Sequence, residues 1–130
     1  NISPNTVETF NIVFADLDTV DTTFIKSGAK LIINIPREWT EVTIIPGGTS
    51  GFVGTPTINT FGDGSKQIVG ITSADLGTAT NVADTIQFSA KSPNVSNDQM
   101  YVMYVLAQGE SAQNFAIGPL SEIVLHIDGS

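Results

Sequence analysis

The densest set of potential ligands in the chain is Asp16-Leu17-Asp18-Thr19-Val20-Asp21. Three closely spaced carboxylates suit a hard cation. Ca2+ wants several oxygens at about 2.3–2.6 Å, from carboxylates and backbone carbonyls. The EF-hand loop also needs Gly at its sixth position and Glu at its twelfth. Asp21 and Ser27 stand there instead, so that motif is absent. Asp16, Asp18 and Asp21 are therefore candidate Ca2+ ligands at a loop edge, with Asp63 or Asp98 recruited from elsewhere in the chain. The competing reading is a solvated acidic turn. No other cofactor is called for.

Other residues invite chemistry more weakly. Asn94-Val95-Ser96 and Asn1-Ile2-Ser3 are glycan acceptor sequences in expected loops. Trp39, the only tryptophan, is either a stacking platform for a sugar or a plug at the end of a sandwich. His126, Asp128 and Ser130 would share one strand face, which suggests a triad. A flat strand does not give the convergence that a nucleophile and its base need. No Gly-rich loop precedes a helix, and no carboxylate pair has a hydrolytic context. The expectation is a protein that is not an enzyme.

The elements that must position these residues are strands. Thr, Val, Ile and Phe are abundant, and apolar residues alternate with polar ones. Val7 to Asp16 places Phe10, Ile12 and Phe14 on one face. Ala29 to Ile35 does the same with Leu31, Ile33 and Ile35, and Pro36 ends the ladder. Further strands are expected at Glu41–Ile45, Gln67–Ile71, Asp84–Lys91 and Glu122–Asp128, with weaker ones near Gly51–Val53 and Pro56–Phe61. Phe61 to Ser65 reads as a hairpin turn around Asp63-Gly64. Thr72 to Asp75 resembles a short capping box opening one helical turn. Met100 to Ala107 is apolar on both faces, which predicts a central strand in a packed sheet. Tyr101 falls where a tyrosine corner would stand. Some eight short strands with regular turn signals predict an all-β, immunoglobulin-like Greek-key sandwich of about 7–9 strands, one domain over residues 1–130.

Composition narrows the setting. Of 130 residues, five are Lys or Arg and thirteen are Asp or Glu, a net charge of -8. The basic residues are scattered, so no stripe exists to neutralise phosphates, and nucleic acid is not an expected partner. An anionic membrane surface would repel the chain, and no apolar run is long enough to span one. There is no cysteine, so disulfides and thiolate metal sites are excluded. Beginning at Asn1, the chain reads as a mature product or an excised fragment.

Four stretches carry a family likeness: "ISPNTVETFNIVF", "LIINIPREWTEVTII", "FSAKSPNVSNDQMYVMYVLAQG" and "IGPLSEIVLHIDG". Together they resemble immunoglobulin-like domains of archaeal cell-surface and S-layer-type proteins, particularly those of ammonia-oxidising archaea. The resemblance implies an extracellular structural or adhesive role and supplies no catalytic residues. Expected partners are further copies, other surface-protein domains, or glycans. The N-terminal segment, Asn1 to Asp16, is the strand most readily exchanged with a neighbour. The alternative is a carbohydrate- or protein-binding module of a secreted protein.

Overall fold

Phe10, Ile12 and Phe14 recur every second residue, and burying them together requires an extended chain. That segment is β1, Val7–Ala15. The computed structural model describes residues 2–15, 25–76, 78, 80–108 and 121–129, with backbone alone at Ser121 and Glu122. Seven more strands follow: β2 Lys30–Ile35, β3 Thr40–Ile44, β4 Thr57–Thr60, β5 Lys66–Ile71, β6 Ala83–Lys91, β7 Gln99–Gln108 and β8 Ser121–Ile127. A short 3-10 turn covers Pro46–Gly48.

The strands form two antiparallel sheets. One has the order β1-β6-β3, the other β4-β5-β2-β7-β8. Their inner faces enclose a single core, so the fold is an all-β sandwich. In an immunoglobulin sandwich, strands A-B-E-D face C-F-G. Here β2, β5 and β4 stand as B, E and D, and β3 and β6 as C and F. The terminal strands are interchanged. β1 lies beside β6, and β7 lies beside β2.

Aromatic rings join the sheets. Trp39 sits in the β2–β3 connection with no exposed surface. Its ring meets Phe10 edge-on at 5.7 Å and Tyr101 edge-on at 6.3 Å. Phe10 also stacks on Phe88 at 5.1 Å. Lys66 Nζ donates to the Trp39 carbonyl at 2.8 Å, which fixes the backbone under the ring. A buried Trp is therefore the plug, and the stacking-platform alternative is corrected: no face of the ring reaches solvent. Tyr101 contributes an edge to the same cluster, and among the described residues no hydrogen bond of a tyrosine corner is present.

The N-terminal segment is fastened by the polar turn after β6. Ser92 Oγ donates to the Ser3 carbonyl at 2.6 Å and accepts from the Thr6 N–H at 3.0 Å. The Ser92 N–H bonds the Thr6 carbonyl, and Asn5 N–H bonds the Pro93 carbonyl. Ile2 pairs in parallel with Ile127, so residues 2–15 run from the edge of one sheet to the edge of the other.

Three expectations changed. Gly51–Val53 forms no strand; only Phe52 bridges, to Thr72. Thr72 to Asp75 opens no helix. Thr72 Oγ1 instead accepts from Ala29 N–H and donates to the Lys26 carbonyl, and Asp75 accepts from Ser27 N–H. Long-range pairing has taken the groups a cap would have used. Met100 to Ala107 is the central strand expected, between β2 and β8, but its outer face is only partly covered: Val102 and Leu106 are half-buried and Met100 is 71% exposed. The Asp63-Gly64 hairpin holds as expected, with Gly64 at φ 91° and Asp63 accepting from the Ser65 N–H and hydroxyl.

Trp39→Ala is expected to cost about 3–5 kcal/mol, the usual range for removing a large buried ring. Urea unfolding of the variant checks this; a loss below about 1 kcal/mol would contradict a core role.

Candidate association surfaces

Strand parity decides which side chains leave the core. On β7, Tyr101, Met103, Val105 and Ala107 point inward, so Met100, Val102, Tyr104 and Leu106 point outward. On β8, Ile123, Leu125 and Ile127 face in, leaving Val124 and His126 outside. The register then builds rows across the outer face of the five-stranded sheet. Val69, Ile32 and Leu106 lie opposite one another on β5, β2 and β7, with Ile32 buried and the other two half-buried. Val102 lies opposite Val124, and Met100 opposite His126. A polar row separates the apolar ones, with Gln67 Nε2 donating to Asn34 Oδ1 at 3.3 Å beside Tyr104.

An outer sheet face is ordinarily polar, because alternation exists to put polar residues in water. This one carries Val124 at 58% exposure, Tyr104 at 39%, and Met100 more open still. Exposed apolar side chains gathered on one face, here Met100 and Val124, mark a candidate interaction site. Phe61 and Tyr104 also line a shallow hollow with Asn34 and Lys66 at one end of this face.

A second concavity, a cleft of about 390 Å3, lies between the sheets beside the C-terminal half of β1. Ile12, Phe14, Ile25, Val105 and Ile123 line it. Among the described residues the lining is largely apolar, with Asn11 its one polar member.

One buried polar group stands out. Asp84 on β6 is in phase with Ile86 and Phe88 and is fully buried. Neither carboxylate oxygen has a hydrogen-bond partner among the described residues. Gly51, at φ 97°, lays its Cα directly on that carboxylate, where any larger residue would overlap it. Burial raises the Asp84 pKa above the ordinary carboxylate value, with the Asn81 amide acting more weakly in the opposite direction. That amide donates to the Asp75 carbonyl at 3.1 Å. The sequence signal for Asp84 was its spacing, two residues before Ile86 in the same alternation.

Those residues singled out from sequence that the structure describes do not converge. Asp16, Asp18, Asp21 and Asn1 lie outside the described residues. Asp63 and Asp98 are each held locally, Asp63 by Ser65 and Asp98 by the Gly129 N–H at 3.1 Å. Among the described residues no group of three metal-ligating side chains occurs. Asn94 is exposed in the β6–β7 connection, while Val95 beside it packs on the core. His126 Nε2 lies 3.9 Å from Asp98 at the surface, in an open pair of little energetic weight. Among the described residues no helix is long and apolar enough to cross a membrane. No family model, curated protein or solved structure matches this chain.

Asp84 gives a pH prediction with a definite sign. Its folded pKa is raised, so the folded state binds the proton more tightly than the unfolded state. The stabilising contribution is complete below about pH 4, the unfolded value, and is lost as pH rises through the folded pKa. Asp84→Asn is expected to be more stable than the native chain at neutral pH, with the gap closing in acid. Urea midpoints over a pH series read this directly; a gap that widens in acid would reverse the assignment.

Proposed function

We propose that the chain is a non-catalytic structural or adhesive domain of an extracellular cell-surface assembly: an S-layer, stalk or filament. The observation that carries this reading is the apolar outer face around Val124, Val102 and Met100. A domain working alone gains nothing from placing valine and methionine in water. A building block needs such a surface to meet its neighbour. The acidic composition supports the extracellular setting, as does the family likeness of the four sequence stretches. In that setting Asn94 is the glycan acceptor, and Asp16, Asp18 and Asp21 are the residues through which Ca2+ would act. The same face also favours a second reading, a module that docks a different protein.

Particle size tests the choice. Light scattering and negative-stain microscopy across a concentration series, with about 5 mM Ca2+ and then with chelator, are expected to show particles larger than one chain. Val124→Lys should shrink those particles while changing stability by no more than about 0.5 kcal/mol, because the site is exposed. A native chain that remains single under every condition would overturn the building-block reading in favour of the docking module.

A further inference from the structure

The two sheets have four edges, and among the described residues three of them carry some protection against pairing. β3 is five residues long, its register slips between Thr40 and Thr43, and Glu41 takes φ 52° there. A bulge with a charge on it is a standard defence of an edge. β4 has four residues and follows Pro56. β8 is met by Ile2, whose N–H bonds the His126 carbonyl and whose carbonyl accepts from Asp128 N–H.

β1 has no such protection. It runs nine residues in unbroken register with β6. It contains no proline and no lysine, and Glu8 is its only charge. The direction of its backbone groups follows from two observations. The Thr6 carbonyl accepts from the Ser92 N–H and the Thr6 N–H donates to Ser92 Oγ, so the even-numbered residues of β1 face β6. On β6, Thr85 bonds Ser50 and the Gln87 carbonyl accepts from Ile45, so those residues turn away from β1. The N–H and C=O groups of Val7, Thr9, Asn11 and Val13 therefore point along the open edge. Among the described residues none pairs with them.

We infer that this edge pairs antiparallel with β1 of a second copy, joining two three-stranded sheets into one of six. The strand is self-complementary in a register centred on Phe10. That register sets Val7 opposite Val13 of the other copy, twice over by the two-fold axis, and Thr9 opposite Asn11. Val7 and Val13 are 57% and 58% exposed in the single chain. Pairing covers them, satisfies the open backbone groups, and opposes no like charges across the edge. An isologous contact of this kind closes as a dimer. The inference rests on the building-block reading and names one of its contacts.

The chain has no cysteine, which makes cross-linking free of background. Full-length Val7→Cys and Val13→Cys proteins are mixed and oxidised. The opposed positions lie about 5.5 Å apart between Cα atoms in a hydrogen-bonded antiparallel pair, within disulfide reach. The mixture is expected to give the covalent heterodimer, with each variant alone giving at least tenfold less. Sedimentation equilibrium should show native dimer and at least a tenfold weaker association for Val7→Lys/Val13→Lys, whose four lysines would meet across the axis. Equal cross-linking by either single variant alone would overturn the Phe10-centred register. Larger particles that persist in the double-lysine variant without cross-links would overturn edge pairing and leave the building-block reading standing. A native chain that is always single would overturn both.

Discussion

The packing of Trp39 between one aromatic from each sheet is the contact on which the rest depends. A chain without cysteine has only packing to hold two sheets face to face. Phe10 from β1 and Tyr101 from β7 both reach the same indole. Each contact fixes the parity of a strand. With Phe10 inward, the odd residues of β1 face water and their backbone groups face the edge. With Tyr101 inward, Met100 and Val102 must go outside. A slip of one residue would turn either set inside out. Both surfaces described above follow from this choice.

Much of this was legible in the sequence. Period-two alternation located β1, β2, β6 and β8 and gave the inward residues of β1 and β2 correctly, because half-buried strands write their burial into alternate positions. The Asp63-Gly64 turn was equally plain. Thr72 to Asp75 misled because its hydroxyl and carboxylate groups serve equally well as partners for Ala29 and Ser27, far away in sequence. β7 stands inside its sheet as expected, yet the apolar run did not tell that Met100 would be exposed. An apolar strand face reads the same whether its cover belongs to this chain or to another. Asp84 was hidden inside a strand whose apolar members set the expectation. The aspartates at 16, 18 and 21 had no pattern around them that dictated a geometry.

Two surfaces on one small domain have geometric meaning. The open edge belongs to the three-stranded sheet, and the apolar face belongs to the five-stranded one. A two-fold contact alone ends at a dimer. A second contact on the opposite layer links dimers onward, which is what a layer or a filament requires. The bulged β3 edge, and Ile2 at the end of the β8 edge, work against continued edge-to-edge growth into a cross-β ribbon.

The Ser92 fastening has a consequence in time. β1 is synthesised well before the strand it pairs with: its partner β6 ends at Lys91 and its clasp is Ser92. At roughly 5–20 residues per second, β1 waits on the order of ten seconds for a sheet to enter. During that interval Phe10, Ile12 and Phe14 are bare. The strand with the open edge is thus also the one that waits longest for its partner, and the chain must be kept from its siblings until residue 92 has arrived.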